Sequence, residues 1–133
     1  MTGNDKSIIA RKVVGIFTLE LRKDGILHRH VSSESNYDVG AYPELNEEIG
    51  AMVNFKAVPT FVTADELVVF PVEANAILAK KNSSPYSSAE AYLVSNLAQQ
   101  LVVNFYIRNY KPERPTQLFE KEEDAITWLK TFL

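Results

Sequence analysis

The residues from Ser88 to Leu133 constrain this chain most. An apolar run (Ala89, Ala91, Tyr92, Leu93, Val94) leads into a helical pattern from Leu97 to Tyr110. Lys111-Pro112-Glu113-Arg114-Pro115 then turns the chain. A short strand-like segment, Thr116 to Phe119, comes next, and a closing helix carries Ile126, Trp128 and Leu129. Strand–helix–strand–helix is the unit of an α/β domain, and that fold class is the expectation here. No catalytic motif sits on the unit.

The rest of the composition mostly excludes. A chain of 133 residues is one domain by length and buries enough surface to fold without a staple. There is no cysteine, so thiol catalysis, zinc–thiolate sites and a disulfide framework are out. The formal charge of −3 lacks the basic footprint of nucleic-acid binding. No apolar stretch reaches the ~20 residues of a membrane span. Residues 1–12 are polar, read as a flexible tail without the apolar core of a signal peptide, ahead of a single domain at 13–133. The expected setting is cytoplasmic.

Local patterning fills in the first half. Phe17, Leu19 and Leu21 alternate with Thr18, Glu20 and Arg22. Lys23-Asp24-Gly25 turns the chain, since Asp and Gly tolerate positive φ. The return strand from Ile26 to Val31 puts Leu27 and Val31 on one side and His28 and His30 on the other. Residues 38–53 have helical spacing, with Pro43 forcing the regular helix to start near Tyr42. Pro59 to Ala64 reads as a strand, Val72 to Lys81 as a short helix, and residues 82–88 as a loop. The last helix, about Lys121 to Phe132, has acids in its first turn and Lys130 in its last, as the helix dipole favours.

This order, ββαβαβαβα, resembles a bacterial group of small domains related to the anti-sigma-factor antagonists, the STAS and SEC14-like class. The residues carrying the resemblance are Leu19 to His28 in the hairpin, Val94-Ser95-Asn96, Val103 to Ile107, Pro115 to Phe119, Glu122 to Ile126 and Trp128-Leu129-Lys130. The resemblance implies a mixed, mostly parallel sheet opened by the hairpin, with four helices mainly on one face. It also implies a non-enzymatic regulatory or protein-interaction module. In that class a Ser or Thr at the start of the helix after the third strand is phosphorylated. The matching segment here, Phe70 to Ala74, has no hydroxyl, which sets this chain apart from that switch.

Few side chains could carry chemistry. His28 and His30, two apart on a strand, share a face and could hold a metal with Glu20 as a third ligand; the plainer reading is an outer polar face. Asp65 and Glu66 follow a strand's carboxyl end, where ligands bind α/β sheets, but loop acids are usually just solvated. Ser83, Ser84, Ser87 and Ser88 read as ordinary loop residues, and five glycines form no phosphate cradle. The helix Leu97–Tyr110 is unusual. Ala98, Leu101, Val102 and Phe105 make one apolar face, and Val103, Tyr106, Ile107 and Tyr110 make a second beside it. The first suits the core. The second is a candidate homodimer surface or apolar ligand groove, unless the same chain covers it. The first functional expectation is therefore the interaction module, with no cofactor. A carrier of a small apolar or lipid-like ligand is the alternative. A hydrolytic or metal-dependent enzyme using His28, His30 or Asp65 ranks last.

Overall fold

The fold is seen in a computed structural model, which describes residues 7–32, 39–68 and 75–133. Six strands form one mixed sheet in the spatial order β1-β2-β3-β4-β5-β6. β1 (Ile8–Val14), β2 (Phe17–Arg22) and β3 (Leu27–Val31) pair antiparallel. β4 (Val58–Ala64), β5 (Ser87–Leu93) and β6 (Thr116–Phe119) continue in parallel from β3. The helices are α1 (Tyr42–Met52), α2 (Asn75–Leu78), α3 (Leu97–Tyr110) and α4 (Glu122–Lys130).

The opening differs from expectation by one strand. Residues 8–12, read as part of a flexible tail, belong to β1. Gly15 lies in the turn that separates β1 from β2. Gly15 has φ +57°, and Val14 pairs with Phe17 across a two-residue Gly15-Ile16 loop. A left-handed first loop position is what a tight hairpin of this kind requires. The next hairpin turns where the sequence placed it. Gly25 has φ +93°, and the Asp24 carboxylate accepts from the Ile26 N–H at 3.2 Å and from Arg22 Nη2 at 2.6 Å. Arg22, expected on the polar face, is buried by that pairing.

α1 starts at Tyr42 after a single 3-10 turn, with Pro43 in its first turn, where a missing N–H costs nothing. It ends against Asn54 and Phe55, both at positive φ. Gly50 is needed on its last turn, because a Cβ there would lie 2.8 Å from the Phe55 and Tyr86 rings. The helix expected at Val72–Lys81 is described from Asn75 to Leu78, followed by a 3-10 turn at Lys81–Ser83. The segment Phe70 to Ala74, singled out for lacking a phosphorylatable hydroxyl, lies outside the described residues.

Strand register sorts the side chains into two faces. Phe17, Leu19, Leu27, Val31 and Val62 share the first face, where Tyr42, Leu45 and Ile49 of α1 and Val103 and Tyr106 of α3 cover them. The three crossovers fall together because strands are added in one direction, and right-handed βαβ connections then all lie on one side. α4 comes after the last strand and is free to cross over. It packs Ala125, Ile126 and Leu129 on Phe61, Ala89 and Ala91 of the second face. Over β1 to β3 that second face carries no helix among the described residues.

Candidate functional site

The open half of the second face gathers His28, His30 and Asp65, together with a residue the sequence did not join to them. Thr63 pairs in register with His30, so its side chain rises from β4 between the two imidazoles. His28 Nε2 and His30 Nδ1 each lie 2.7 Å from Thr63 Oγ1. His30 Nε2 lies 2.8 Å from Asp65 Oδ1, just past the carboxyl end of β4. At the other end, His28 Nδ1 is 3.6 Å from Glu20 Oε1, and Arg11 Nε holds Glu20 Oε2 at 3.5 Å. The result is one continuous row, Glu20–His28–Thr63–His30–Asp65. Strand pleating explains it: residues two apart on β3 and one between them on β4 meet on a single face.

The row is partly covered. The His28 ring packs on Phe61 with centroids 5.0 Å apart, and its side chain is 26% exposed. Desolvation by that burial, partly offset by Glu20, holds the His28 imidazole below its ordinary value of 6.5. His30 and Asp65 are more open, at 35% and 44%. The sequence Asp65–His30–Thr63 follows the order of a nucleophile relay. Among the described residues, however, it lies on an open sheet face, not in a closed, dry cleft where developing charge is stabilised. Among the described residues, no group of three or more His, Asp or Glu side chains could hold a metal ion, so Glu20 does not complete a ligand set with the two histidines.

α3 corrects the second reading of the sequence. Val103 and Tyr106, named as an interface or ligand face, turn inward and are 4% and 5% exposed, while Ile107 and Tyr110 are half-buried. The outer row is Leu97, Leu101 and Phe105, at 68%, 61% and 47% exposed. Gln99 decides the rotation. Its side chain donates to the Asp65 carbonyl at 2.9 Å and accepts from the Ser95 N–H at 3.1 Å, pinning the inner face to the end of β4. Asn96 caps the helix by accepting from the Gln99 N–H at 2.8 Å.

Beneath α3, Val31, Val62, Tyr92, Val103 and Tyr106 line a cavity of about 30 Å³. That is room for about one water molecule, whereas ligand pockets run to ~300–1,000 Å³. Beside it Glu90, 1% exposed, lies 3.6 Å from Arg29 Nη2 and 3.5 Å from Arg114 Nη1, and accepts from the Tyr92 hydroxyl at 3.0 Å. Burial, then the Glu90 charge, pushes both the Tyr92 and Tyr106 phenols well up. Arg114 also donates to the Leu78 and Lys80 carbonyls, tying the turn before β6 to the end of α2. Nothing in spacing announced this cluster, because its members come from three distant segments.

No curated protein matches the chain. Among solved structures, a protein of unknown function from Arthrobacter sp. FB24 is similar at 22% identity, over 89% of this chain and 96% of that one, with a TM-score of 0.30. Residues 19–133, all but the first strand and the start of the second, match a family described as Domain of unknown function (DUF7793), and the chain belongs to that family.

Proposed function

We propose that this domain is a non-enzymatic interaction module of the regulatory, STAS-like kind, and that it pairs with a second copy of itself through the outer row of α3. The observation that carries the reading is the ridge Leu97, Leu101, Phe105, spaced i, i+4, i+8 and left to solvent by a helix that buries Gln99, Val103 and Tyr106 on its other side. A second copy fits because a two-fold contact sets a patch against itself, which suits an uncharged row. Arg108 stands one turn beyond the row, and no acid lies on α3.

The size of the ridge sets the strength. At about 200 Å² for each large side chain, the three expose roughly 350 Å² per protomer. A standard interface buries ~800 Å² per partner, so the pairing is weak and concentration-dependent, micromolar or looser. Sedimentation over a concentration series tests it. Wild type should shift from monomer towards dimer, and Leu101→Asp should stay monomeric and folded, since position 101 already faces water. A wild type that remains monomeric at the highest concentration, or a Leu101→Asp protein that still dimerises, overturns the reading.

A further inference from the structure

We propose that the Glu20–His28–Thr63–His30–Asp65 row is a binding site for one proton, which enters beside Glu20 and leaves its charge beside Asp65, reversing the hydrogen bonds of Thr63. A carboxylate only accepts, so His30 Nε2, 2.8 Å from Asp65 Oδ1, carries a hydrogen. In neutral His30, Nδ1 is then bare and accepts the Thr63 hydroxyl hydrogen across 2.7 Å. Thr63 has no other hydrogen to give. Its oxygen therefore accepts from His28, which must carry its hydrogen on Nε2. That leaves His28 Nδ1 bare, 3.6 Å from a Glu20 oxygen, two acceptors face to face.

One added proton removes the conflict. It binds His28 Nδ1; the Nε2 hydrogen passes to Thr63 Oγ1, and the Thr63 hydrogen passes to His30 Nδ1. The row gains one hydrogen in all; the two Thr63 contacts keep their distances, and only the 3.6 Å gap between His28 and Glu20 has to close by about 0.5 Å to become a hydrogen bond. His28 now presents Nδ1–H to Glu20 and a bare Nε2 to Thr63. His30 is an imidazolium donating to Thr63 on one side and Asp65 on the other. Every neighbouring pair now joins a donor to an acceptor.

The surroundings fix where the charge rests. Around His28 stand Glu20 and Arg22 of β2, with Arg22 itself bound to Asp24; Glu122 at the start of α4; and Arg11 of β1, spent on Glu20. Burial against the Phe61 ring also strips water from His28, and that desolvation disfavours its charged form. His30 has the Asp65 carboxylate in direct contact and Thr18 opposite in register. A second proton would set two imidazoliums on one hydroxyl oxygen, so uptake stops at one and the two rings titrate as a pair.

Long-range nitrogen–proton NMR of the imidazoles, from about pH 5 to about pH 8.5, reads the tautomers directly. His28 should change from Nε2–H to Nδ1–H in the same transition in which His30 becomes doubly protonated. Thr63→Val keeps the shape of the side chain but removes the relay atom; His28 should then keep one tautomer while His30 titrates. Asp65→Asn should move the joint transition to lower pH. A wild-type His28 that holds one tautomer through the His30 transition overturns the proposal. So does a Thr63→Val protein in which the two rings still change together, or an Asp65→Asn protein whose transition does not move.

Discussion

Glu90→Gln tests whether the interior depends on one carboxylate. The change keeps the shape, and the amide oxygen can still accept from the Tyr92 hydroxyl, so the charge is what is lost. Arg29 and Arg114 are 3% and 5% exposed and stay protonated, because a guanidinium cannot shed its proton. Removing one partner of a buried ion cluster costs about 3–5 kcal/mol. The contacts here are long, 3.5 and 3.6 Å, and Glu90 Oε2 has no hydrogen bond among the described residues, which favours the lower end, about 3 kcal/mol. A domain of this size has ~5–15 kcal/mol in total. Urea unfolding followed by circular dichroism should therefore show the midpoint falling by about 1–3 M, for a slope of ~1–3 kcal/mol per M. Glu123→Gln, on the exposed side of α4, is the control and should stay within about 0.5 kcal/mol. A loss below about 1 kcal/mol for Glu90→Gln would refute the reasoning, by showing that the two arginines are neutralised without Glu90.

Two further outcomes follow from single contacts. Asn96→Ala removes the side chain that accepts from the Gln99 N–H, and should cost about 1 kcal/mol, read as faster amide exchange in the first turn of α3. Because burial lowers the His28 imidazole in the folded state, the unfolded chain binds a proton there more readily. The stability tied to His28 is thus present above pH 6.5 and lost as the pH falls through the lower, folded-state value, so His28→Phe should flatten the acid limb of the stability-versus-pH curve; an unchanged limb in denaturant titrations would count against it.

Local signals were legible wherever a residue's own chemistry set the backbone. Gly25 and Asp24 gave the second hairpin, Pro43 gave the start of α1, and the acids of α4 gave its first turn. β1 was not legible. Ile8 to Val14 mixes Arg11 and Lys12 among apolar residues, and four of its first five positions are exposed, so no buried stripe marks it. It is an edge strand held by its ladder to β2 and by pairing of Lys12 with Glu48 at 2.9 Å, a tertiary contact that local pattern does not contain.

The two candidate sites failed to read out for opposite reasons. On α3, two adjacent apolar faces of similar strength gave periodicity nothing to choose between, and the choice fell to Gln99, a polar residue whose amide reaches the Asp65 carbonyl just past the distant strand β4. Polar residues are passed over when apolar ones are sought, yet here the buried amide fixes the rotation of the helix. In the histidine row the members on β3 were visible, since two residues apart on a strand share a face. Thr63 was not, because which residue of β4 rises between His28 and His30 depends on the register of a parallel pair separated by α1. A shift of one residue would put Val62 there and send Thr63 to the other face. The chemistry of the row thus rests on the register set by Leu27 opposite Thr60 and Val31 opposite Ala64 on the α1 side of the sheet. The packing of one face selects the proton path on the other.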